Sequence, residues 1–567
     1  MKKNLLITIF LFLLIKSANA QWDGNPSTVD NPVTTTNTDG DGIYSVSDGA
    51  GGIIVVWSTN NNNGNNNLYV QRKNSAGEIL WGDSSHPVQI YTTTDYPYID
   101  DMVADGAGGA YISWEDQPND TGVVSNIYMQ HVNSSGTALL ASNGLKVNLA
   151  NGDYNWFIKL DADALGVIVT WTDEHDDPVT DSFISAQVYA QRYNTSGVAQ
   201  WGSGGVQVCT ATGFRADPGI VSDGANGAFI SFADSRNSSE DENGSFNNID
   251  IYAQHISSSG IRLWTNNGTV VCNQTTDQDM VDYIGNIRPM ITDGSGGVII
   301  AFETYTDDSD YTGNFYVQRL NANGNILWTT AGVALNASTF TYKNFSAMVS
   351  DSAGGVVILW DDEGITGGND STIDAQRVTN AGSAIWGTNG VSISSLSNSI
   401  PYLDGSTMDG DGAGNYVINW SAVDNNNLTK ILGQKLDGNG VAQWAANGVN
   451  ICINPNSYPF EPYICKADST NMIVVWGDYR NADSLEIYGA KITSSGSLVS
   501  SNAYITDADG NWNNPATWIG NIVPPAGVDV IVKNKVTGNL TTTCNTLTVE
   551  SPGSLNINAG IKVTILH

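Results

Sequence analysis

The string "DGAGGIIVVW" (48–57) is written again as "DGAGGAYISW" (105–114), "DGSGGVIIAF" (293–302) and "DSAGGVVILW" (351–360). Aligned on that opening, the chain holds eight units, starting at Asp48, Asp105, Asp161, Asp223, Asp293, Asp351, Asp411 and Asp468, at spacings of 56 to 70 residues. Self-similarity of this kind restricts a chain to repeat architectures, in which each unit buries its apolar face against its neighbours.

The units read in one order. An Asp/Gly-rich turn is followed by an apolar run ending in an aromatic: Trp57, Trp114, Trp171, Phe232, Phe302, Trp360, Trp420 or Trp476. A loop of variable length leads to "YVQR" (69–72) or a relative such as "YMQH" (128–131), "YAQR" (189–192) or "DAQR" (374–377). A turn such as "NSAG" (74–77) then leads into "EILW" or "NILW". Short runs of Val, Ile, Tyr and Trp between Gly, Asn and Asp clusters are strands. Four strands per unit are expected: one before the turn, the "IIVVW" run, the "YVQR" run and the "EILW" run. After residue 20 no helical periodicity of useful length appears, so the fold class is all-β.

Four-stranded units repeated this often predict the blades of a β-propeller. A Trp with an aliphatic seven residues later closes the units, as in Trp81/Val88, Trp201/Val208, Trp264/Val271, Trp328/Leu335, Trp386/Ile393 and Trp444/Ile451. The eighth unit lacks it, having Ser500 and Asp507 there, whereas Trp22 and Val29 show the same spacing with no unit in front of them. The expectation is an eight-bladed β-propeller closed by the N-terminal strand, which removes the exposed sheet edge.

This layout resembles the roughly sixty-residue propeller-type repeats of secreted bacterial surface proteins, on the pattern GG-apolar-W, YxQR-N-x-x-G, W, GV. The resemblance covers residues 22 to about 500. Its motifs are structural, so it carries no active site with it. The Asp-box of sialidases does not fit, because that pattern places Trp five residues after Asp and Trp57 stands nine after Asp48. The tail, "CNTLTVESPGSLNINAGIKVTIL" (544–566) with the segment before it, looks like the start of a parallel β-helix in similar surface proteins. Domains are therefore expected at 21–503 for the propeller and 504–567 for a short β-solenoid-like segment, truncated within its pattern.

Residues 1–20 have the layout of a cleavable secretory signal: Lys2 and Lys3, an eleven-residue apolar run (5–15), then "ANA" (18–20). No later run is long enough to span a membrane. The expected location is secreted or attached to the outer surface. Charge supports the choice of partners. With 57 acidic and 23 basic side chains the net charge is −34, a field that repels nucleic acid and anionic lipid. Five cysteines with no CxxC give neither a disulfide framework nor a zinc site, and Cys209, Cys272 and Cys452 share one repeat position.

The loops between second and third strands vary, the aromatic-to-Tyr distance being 12 residues in the first unit, 18 in the third and 20 in the fourth. Variable loops on a fixed scaffold are where binding resides, so their face is the expected working face. Five units carry an Asp two residues after the aromatic, and the candidate ligand-binding set is Asp116, Asp173, Asp234, Arg236, Asp362, Asp478 and Arg480. The competing reading is structural: these aspartates cap strand ends or pair with the Arg of "QR". The "DEHDD" loop offers Asp173, Glu174, Asp176 and Asp177 as a carboxylate set of the kind Ca²⁺ takes, although no loop follows the EF-hand pattern. His175 lies in the same loop. His131 and His255 occupy the Arg position of the repeat, and only Trp156, Trp512 and Trp518 stand outside the repeat's Trp positions as sugar platforms.

Two functions follow. The first is a non-enzymatic propeller that binds an extracellular glycan or protein, or serves as an adhesin-like module. The second is an extracellular polysaccharide-acting enzyme, a glycoside hydrolase or lyase, using carboxylates on the loop face.

Overall fold

In the computed structural model eight antiparallel sheets surround one axis as an eight-bladed β-propeller. The structure describes residues 22, 31–34, 42–59, 66–94, 96–117, 126–147, 154–176, 183–240, 246–247, 249–272, 274, 276–281, 288–305, 313–337, 343–362, 372–394, 399–424, 428–481, 484–499, 504–506, 508–518, 523–524, 528–549 and 553–565. Blade 1 consists of Ile43–Ser47, Ile53–Thr59, Asn66–Lys73 and Val88–Thr93, from the axis outward. Each inner strand touches the inner strand of the next blade, and Pro459–Lys466 of blade 8 touches Ile43–Ser47 of blade 1.

The repeated letters are accounted for by three recurring contacts. Asp48 Oδ1 accepts from the backbone N–H of Ala50 and Gly52, at 2.8 and 2.7 Å, while Oδ2 holds the Arg72 guanidinium at 2.9 Å. A Cβ on Gly52 would lie 2.2 Å from the Lys73 carbonyl, so only glycine lets the turn close on the third strand. The cation of "QR" thus pairs with the turn aspartate: His131–Asp105, Arg192–Asp163, His255–Asp223, Arg319–Asp293, Arg377–Asp351, Lys435–Asp411 and Lys491–Asp468 repeat it. This corrects the third unit, whose turn aspartate is Asp163. Asp161 lies on the inner strand Tyr154–Asp163 and accepts from Ser222 N of blade 4 instead.

The glutamine of "QR" stitches a blade internally. Gln71 Oε1 accepts from Arg72 N and Trp81 N, and its Nε2 donates to Asp83 O. The Trp stitches blades together. Trp81 Nε1 donates to Ser134 O in the next blade at 3.0 Å, and a Cβ on Gly136 would lie 2.8 Å from the indole. Trp201, Trp264, Trp328, Trp386 and Trp444 donate equivalently to Ser258, Ala322, Asn380, Gly438 and Ser494. The "EILW" run, expected from sequence to be the fourth strand, is not that strand. It makes one isolated bridge, Ile79 to Lys73, and the fourth strand forms further on, at Val88–Thr93 in blade 1. The run is held instead by Trp81 N donating to Gln71 Oε1 and Leu80 N donating to Arg72 O.

At the N-terminus Pro32–Thr34 pairs antiparallel with Ser484–Thr493 of blade 8, Pro32 opposite Tyr488 and Thr34 opposite Ile487. Trp22 is fully buried and donates to Ser75 O of blade 1 at 3.1 Å, the same contact that Trp81 makes to Ser134. Val29 lies outside the described residues. In the tail, Tyr504–Ile505, Val528–Val532, Thr542–Val549 and Val563–Ile565 form one parallel sheet, and Gly510–Asn511, Lys535–Gly538 and Ser554–Ile557 another. Trp512 and Trp518 are buried edge-to-face in the core beside them, 5.0 Å apart at 71°. They are therefore not sugar platforms. All five cysteines are buried, and no helix among the described residues is long and apolar enough to cross a membrane.

Candidate functional site

The aspartates singled out in the loops lie in separate blades; Asp173, Asp234 and Asp478 are engaged within their own, and Asp116 by the outer strand of blade 1. Asp116 accepts from the Tyr91 hydroxyl, and Asp173 stands 3.3 Å from His175 Nε2. Glu174 is half-buried on the strand Gly166–Asp176, which Asp176 ends. The Asp176 side chain and Asp177 lie outside the described residues. Asp362 is half-buried and lies opposite Lys343 in register. Near it is Asp374, standing where other units have Tyr, whose carboxyl burial pushes up to about 6. Trp156 is half-buried and stacks on Phe157 with ring centres 4.6 Å apart.

Two blades share a further device. Asp234 is fully buried and receives Arg215 Nε at 2.8 Å and Arg236 Nε at 2.9 Å. The Arg236 guanidinium lies 3.7 Å over the Tyr252 ring and donates to Asn267 O. In blade 8, Asp478 holds Arg480 Nε at 3.1 Å and accepts from Ser457 Oγ and Trp476 Nε1, with Arg480 3.5 Å over Tyr488. Burial works against both cations, yet their aspartates raise their pKa values above the ordinary guanidinium range. Among the described residues no group of three or more His, Cys, Asp or Glu is placed to hold a metal ion.

A different carboxyl cluster stands at the axis, near the loop face. The inner strands of blades 2, 3, 4, 6, 7 and 8 are all bulged, and Phe157, Asp217 and Glu461 sit at bulges with φ of 52°, 54° and 45°. Bulges re-aim side chains, and left-handed non-glycine residues store strain that concentrates at working sites. Asp100 occupies the bulge of blade 2, between Ile99, opposite Trp114, and Asp101, opposite Ser113. Glu115 on the next strand faces Tyr98, whose ring is exposed.

Asp100 and Glu115 hydrogen-bond to each other, and Glu115 accepts from Phe157 N of blade 3. Both are over nine-tenths buried. Burial, and then repulsion from Glu115, drives the Asp100 carboxyl far above its ordinary range, with Lys159 opposing. Burial pushes Glu115 up to about 7, the bonds from Asp100 and Phe157 partly offsetting it. Two carboxyl groups in contact in a poorly solvated place keep a proton between them at neutral pH.

A carboxyl raised in the folded state favours folding fully below its unfolded pKa, and that benefit is lost as pH rises through about 7. Stability should therefore decline from about pH 4.5 to 7 relative to a Glu115→Gln chain, by at most about 1.4 kcal/mol per pH unit. Denaturation midpoints of both chains against pH check this. Parallel curves across that interval would count against a shared proton.

Arg288 forms the floor of this site. The inner strand of blade 5 is broken between Asp277–Met280 and Met290–Thr292, and Arg288 on the inserted stretch crosses to blades 2 and 3. Its Nη1 donates to Leu160 O at 2.8 Å and Nη2 to Asp101 Oδ1 at 3.1 Å. Asp101 Oδ2 also accepts from Leu160 N at 2.7 Å. Asp101 is one residue further from the loop face than Asp100, so Arg288 lies just beneath the carboxyl pair.

The sequence search passed over Asp100, Glu115 and Arg288. Two signals were present: adjacent acids in "YIDDM" (98–102) and "WEDQ" (114–117), and the lengthened run "MVDYIGNIRPM" (280–290) before the fifth turn. Neither shows that the acids meet, which depends on a bulge and on the neighbouring blade.

The class defined by this fold and site is an eight-bladed propeller with an acid–base cluster at one end of its axis. No family model matches the chain, and no curated protein matches it. Among solved structures it is similar to puromycin hydrolase, at 10% identity and TM-score 0.40, covering 80% of this chain and 59% of that one. The chain thus spans about three-fifths of that protein's length. It is also similar to an ulvan lyase of a new polysaccharide lyase family, at 10% identity and TM-score 0.37, over 84% and 96% of the two chains. A Penicillium chrysogenum α-L-arabinanase follows at 12% identity and TM-score 0.30, over 61% and 97%. These neighbours are mainly enzymes, and that finding corrects the expectation of a non-enzymatic module in favour of its alternative. Likeness at this level speaks to the fold alone, so activity is argued from the site.

Proposed function

We propose that the protein is an extracellular enzyme that cleaves glycosidic bonds in a polysaccharide bound at the loop-face end of the axis. The observation that carries this reading is the proton-sharing pair Asp100–Glu115, seated at a bulge beside the exposed ring of Tyr98 and above Arg288. A retained proton near neutral pH is what a leaving glycosidic oxygen needs from a general acid. Two carboxyls in contact are too close for the paired-carboxylate mechanism, in which about 5–9.5 Å separates acid from nucleophile or base. The pair therefore serves as a single acid that protonates the leaving oxygen. Water adds at the anomeric carbon in hydrolysis, or solvent takes the ring proton as the double bond forms in elimination. Tyr98 is the aromatic surface against which a sugar face lies.

The test is incubation of the purified protein with neutral and acidic extracellular polysaccharides, following new reducing ends together with ultraviolet-absorbing unsaturated ends. Reducing ends alone mean hydrolysis, and both together mean elimination. Either supports the reading if Asp100→Asn abolishes it. Absence of new ends on every polymer, or turnover that survives Asp100→Asn, overturns it.

The same proposal covers the chain's organisation: a secretory signal at 1–20, a propeller at 21–503, and a short parallel-rung segment at 504–567. We further propose that the N-terminal strand latches the ring, since Trp22 and Pro32–Thr34 supply the parts that the eighth unit lacks. Ala490 in place of the Gln of "QR" supports this, because that Gln holds the backbone N–H of the unit's closing Trp, and the eighth unit has Ser500 in place of the Trp. Trp22→Phe removes the N–H donated to Ser75 O and should cost about 1–2 kcal/mol, read from denaturation midpoints. A change below about 0.3 kcal/mol would leave the latch unsupported.

A further inference from the structure

We propose a second ligand site, for a neutral saccharide, in the cleft between blades 5 and 6. It goes beyond the axial site and does not depend on catalysis there. The cleft is an open cavity of about 740 Å³ lined by Asn314, Tyr316, Asn336, Ala384, Ile385 and Thr388, among others.

The decisive group is Asn314. Its side chain is 9% exposed, it lines the cavity, and its Oδ1 is buried with no hydrogen-bond partner. A buried carboxamide oxygen left unpaired costs about 1–3 kcal/mol, which a donor from a ligand would recover. Four equivalent positions, two residues before the "YxQR" tyrosine or its counterpart, are served internally. Gln187 donates to Gly213 O and accepts from Arg215, Asp250 accepts from Asn237, Thr372 donates to Asp374, and Glu486 accepts from Tyr488. Blade 5 has the acceptor without such a donor.

The tyrosine beside it makes the repeat's usual stack on the strand aromatic, as Tyr69 does on Trp57 and Tyr189 on Trp171, without the second ring or guanidinium partner that three other blades add. Tyr128 has Tyr91 against its ring, Tyr252 has Arg236, and Tyr488 has Arg480. Tyr316 stacks on Phe302 within its blade, at 5.8 Å and 17°, and also lines the cavity.

These groups select a chemistry. Among the described residues no charged side chain lines the cleft, and the ligand proposed is accordingly uncharged. Ala384, Ile385 and the Tyr316 ring offer an apolar wall, while Asn314, Asn336 and Thr388 supply amide and hydroxyl groups. A pyranose or furanose has that amphipathic character: C–H faces for an aromatic ring and hydroxyls for a buried acceptor. A cavity of this volume accommodates a short oligosaccharide segment rather than a single water-filled crevice.

The experiment is isothermal titration of the full chain with cellohexaose, xylohexaose, laminarihexaose and maltohexaose. Three variants accompany it: Asn314→Leu, Ala384→Phe, which fills the cleft, and Glu115→Gln at the axis. The expected result is saturable binding of at least one hexasaccharide that Asn314→Leu and Ala384→Phe each weaken at least tenfold and Glu115→Gln leaves unchanged. Asn314→Leu removes an unsatisfied group, so its melting temperature should match or exceed the parent's, which separates lost binding from lost fold. No binding of any of the four, or binding indifferent to both cleft variants, overturns the site. Binding lost only in Glu115→Gln assigns the sugar to the axis and equally overturns it. Failure of the axial reading shows separately, as absent turnover with cleft binding intact.

Discussion

Glu115→Gln lowers the rate of polysaccharide cleavage about 10²–10⁴-fold, the range removed with a positioned general acid. The substitution keeps the shape and a hydrogen-bonding side chain facing Asp100, but its amide N–H is not a transferable proton. It also relieves the repulsion that burial imposes on two adjoining carboxyls. The melting temperature at pH 7 should therefore hold or rise while turnover falls. The alkaline limb of the parent's pH–rate profile, set where the pair loses its retained proton, should disappear from whatever activity remains. Initial rates across pH 5 to 9 on the responsive polymer provide the measurement. Unchanged turnover would remove Glu115 from the chemistry, and a parallel collapse of melting temperature would make its role structural.

Asp234→Ala unfolds the ring far more readily while leaving the turnover of each folded molecule intact. Arg215 has no exposed side-chain surface, and Asp234 is its only carboxylate partner among the described residues. Arg236, wedged against Tyr252, depends on the same carboxylate. Removing the aspartate leaves two buried or half-buried guanidinium groups uncompensated. Breaking a buried pair from one side costs about 3–5 kcal/mol. Asp478→Ala, which strands one guanidinium, Arg480, with the neutral Ser457 Oγ and Trp476 Nε1, should cost less. Chemical denaturation of both variants beside the parent gives the comparison. If Asp234→Ala instead abolishes turnover at unchanged stability, Asp234 belongs to a working site rather than to the frame.

Much of the frame was legible in the letters because local chemistry forces it. The Asp-Gly-x-Gly-Gly turn needs a carboxylate for two N–H groups and a residue without a Cβ against the third strand, and both requirements are written at fixed offsets. The Trp that donates to the next blade and the Gly that lies on it recur for the same reason. Even Trp22, isolated from any unit, carried the repeat's spacing. The third turn was misplaced by two residues because Asp161 and Asp163 are both offered and only the position of Arg192 chooses between them.

The function was less legible. Loop aspartates attract attention in a sequence because they cluster there, yet Asp234 and Asp478 are locked into guanidinium pairs within their blades. The axial acids stand fifteen positions apart and sit in different strands. They meet because a bulge turns Asp100, because Phe157 of the next blade offers its N–H, and because Arg288 arrives from three blades away. The sequence by itself determined the repeat, the strand type and the number of blades, since those depend on turn chemistry and side-chain alternation over a few residues. Only the tertiary structure decided which carboxyls lose their water and share a proton, because desolvation is set by neighbours from distant parts of the chain.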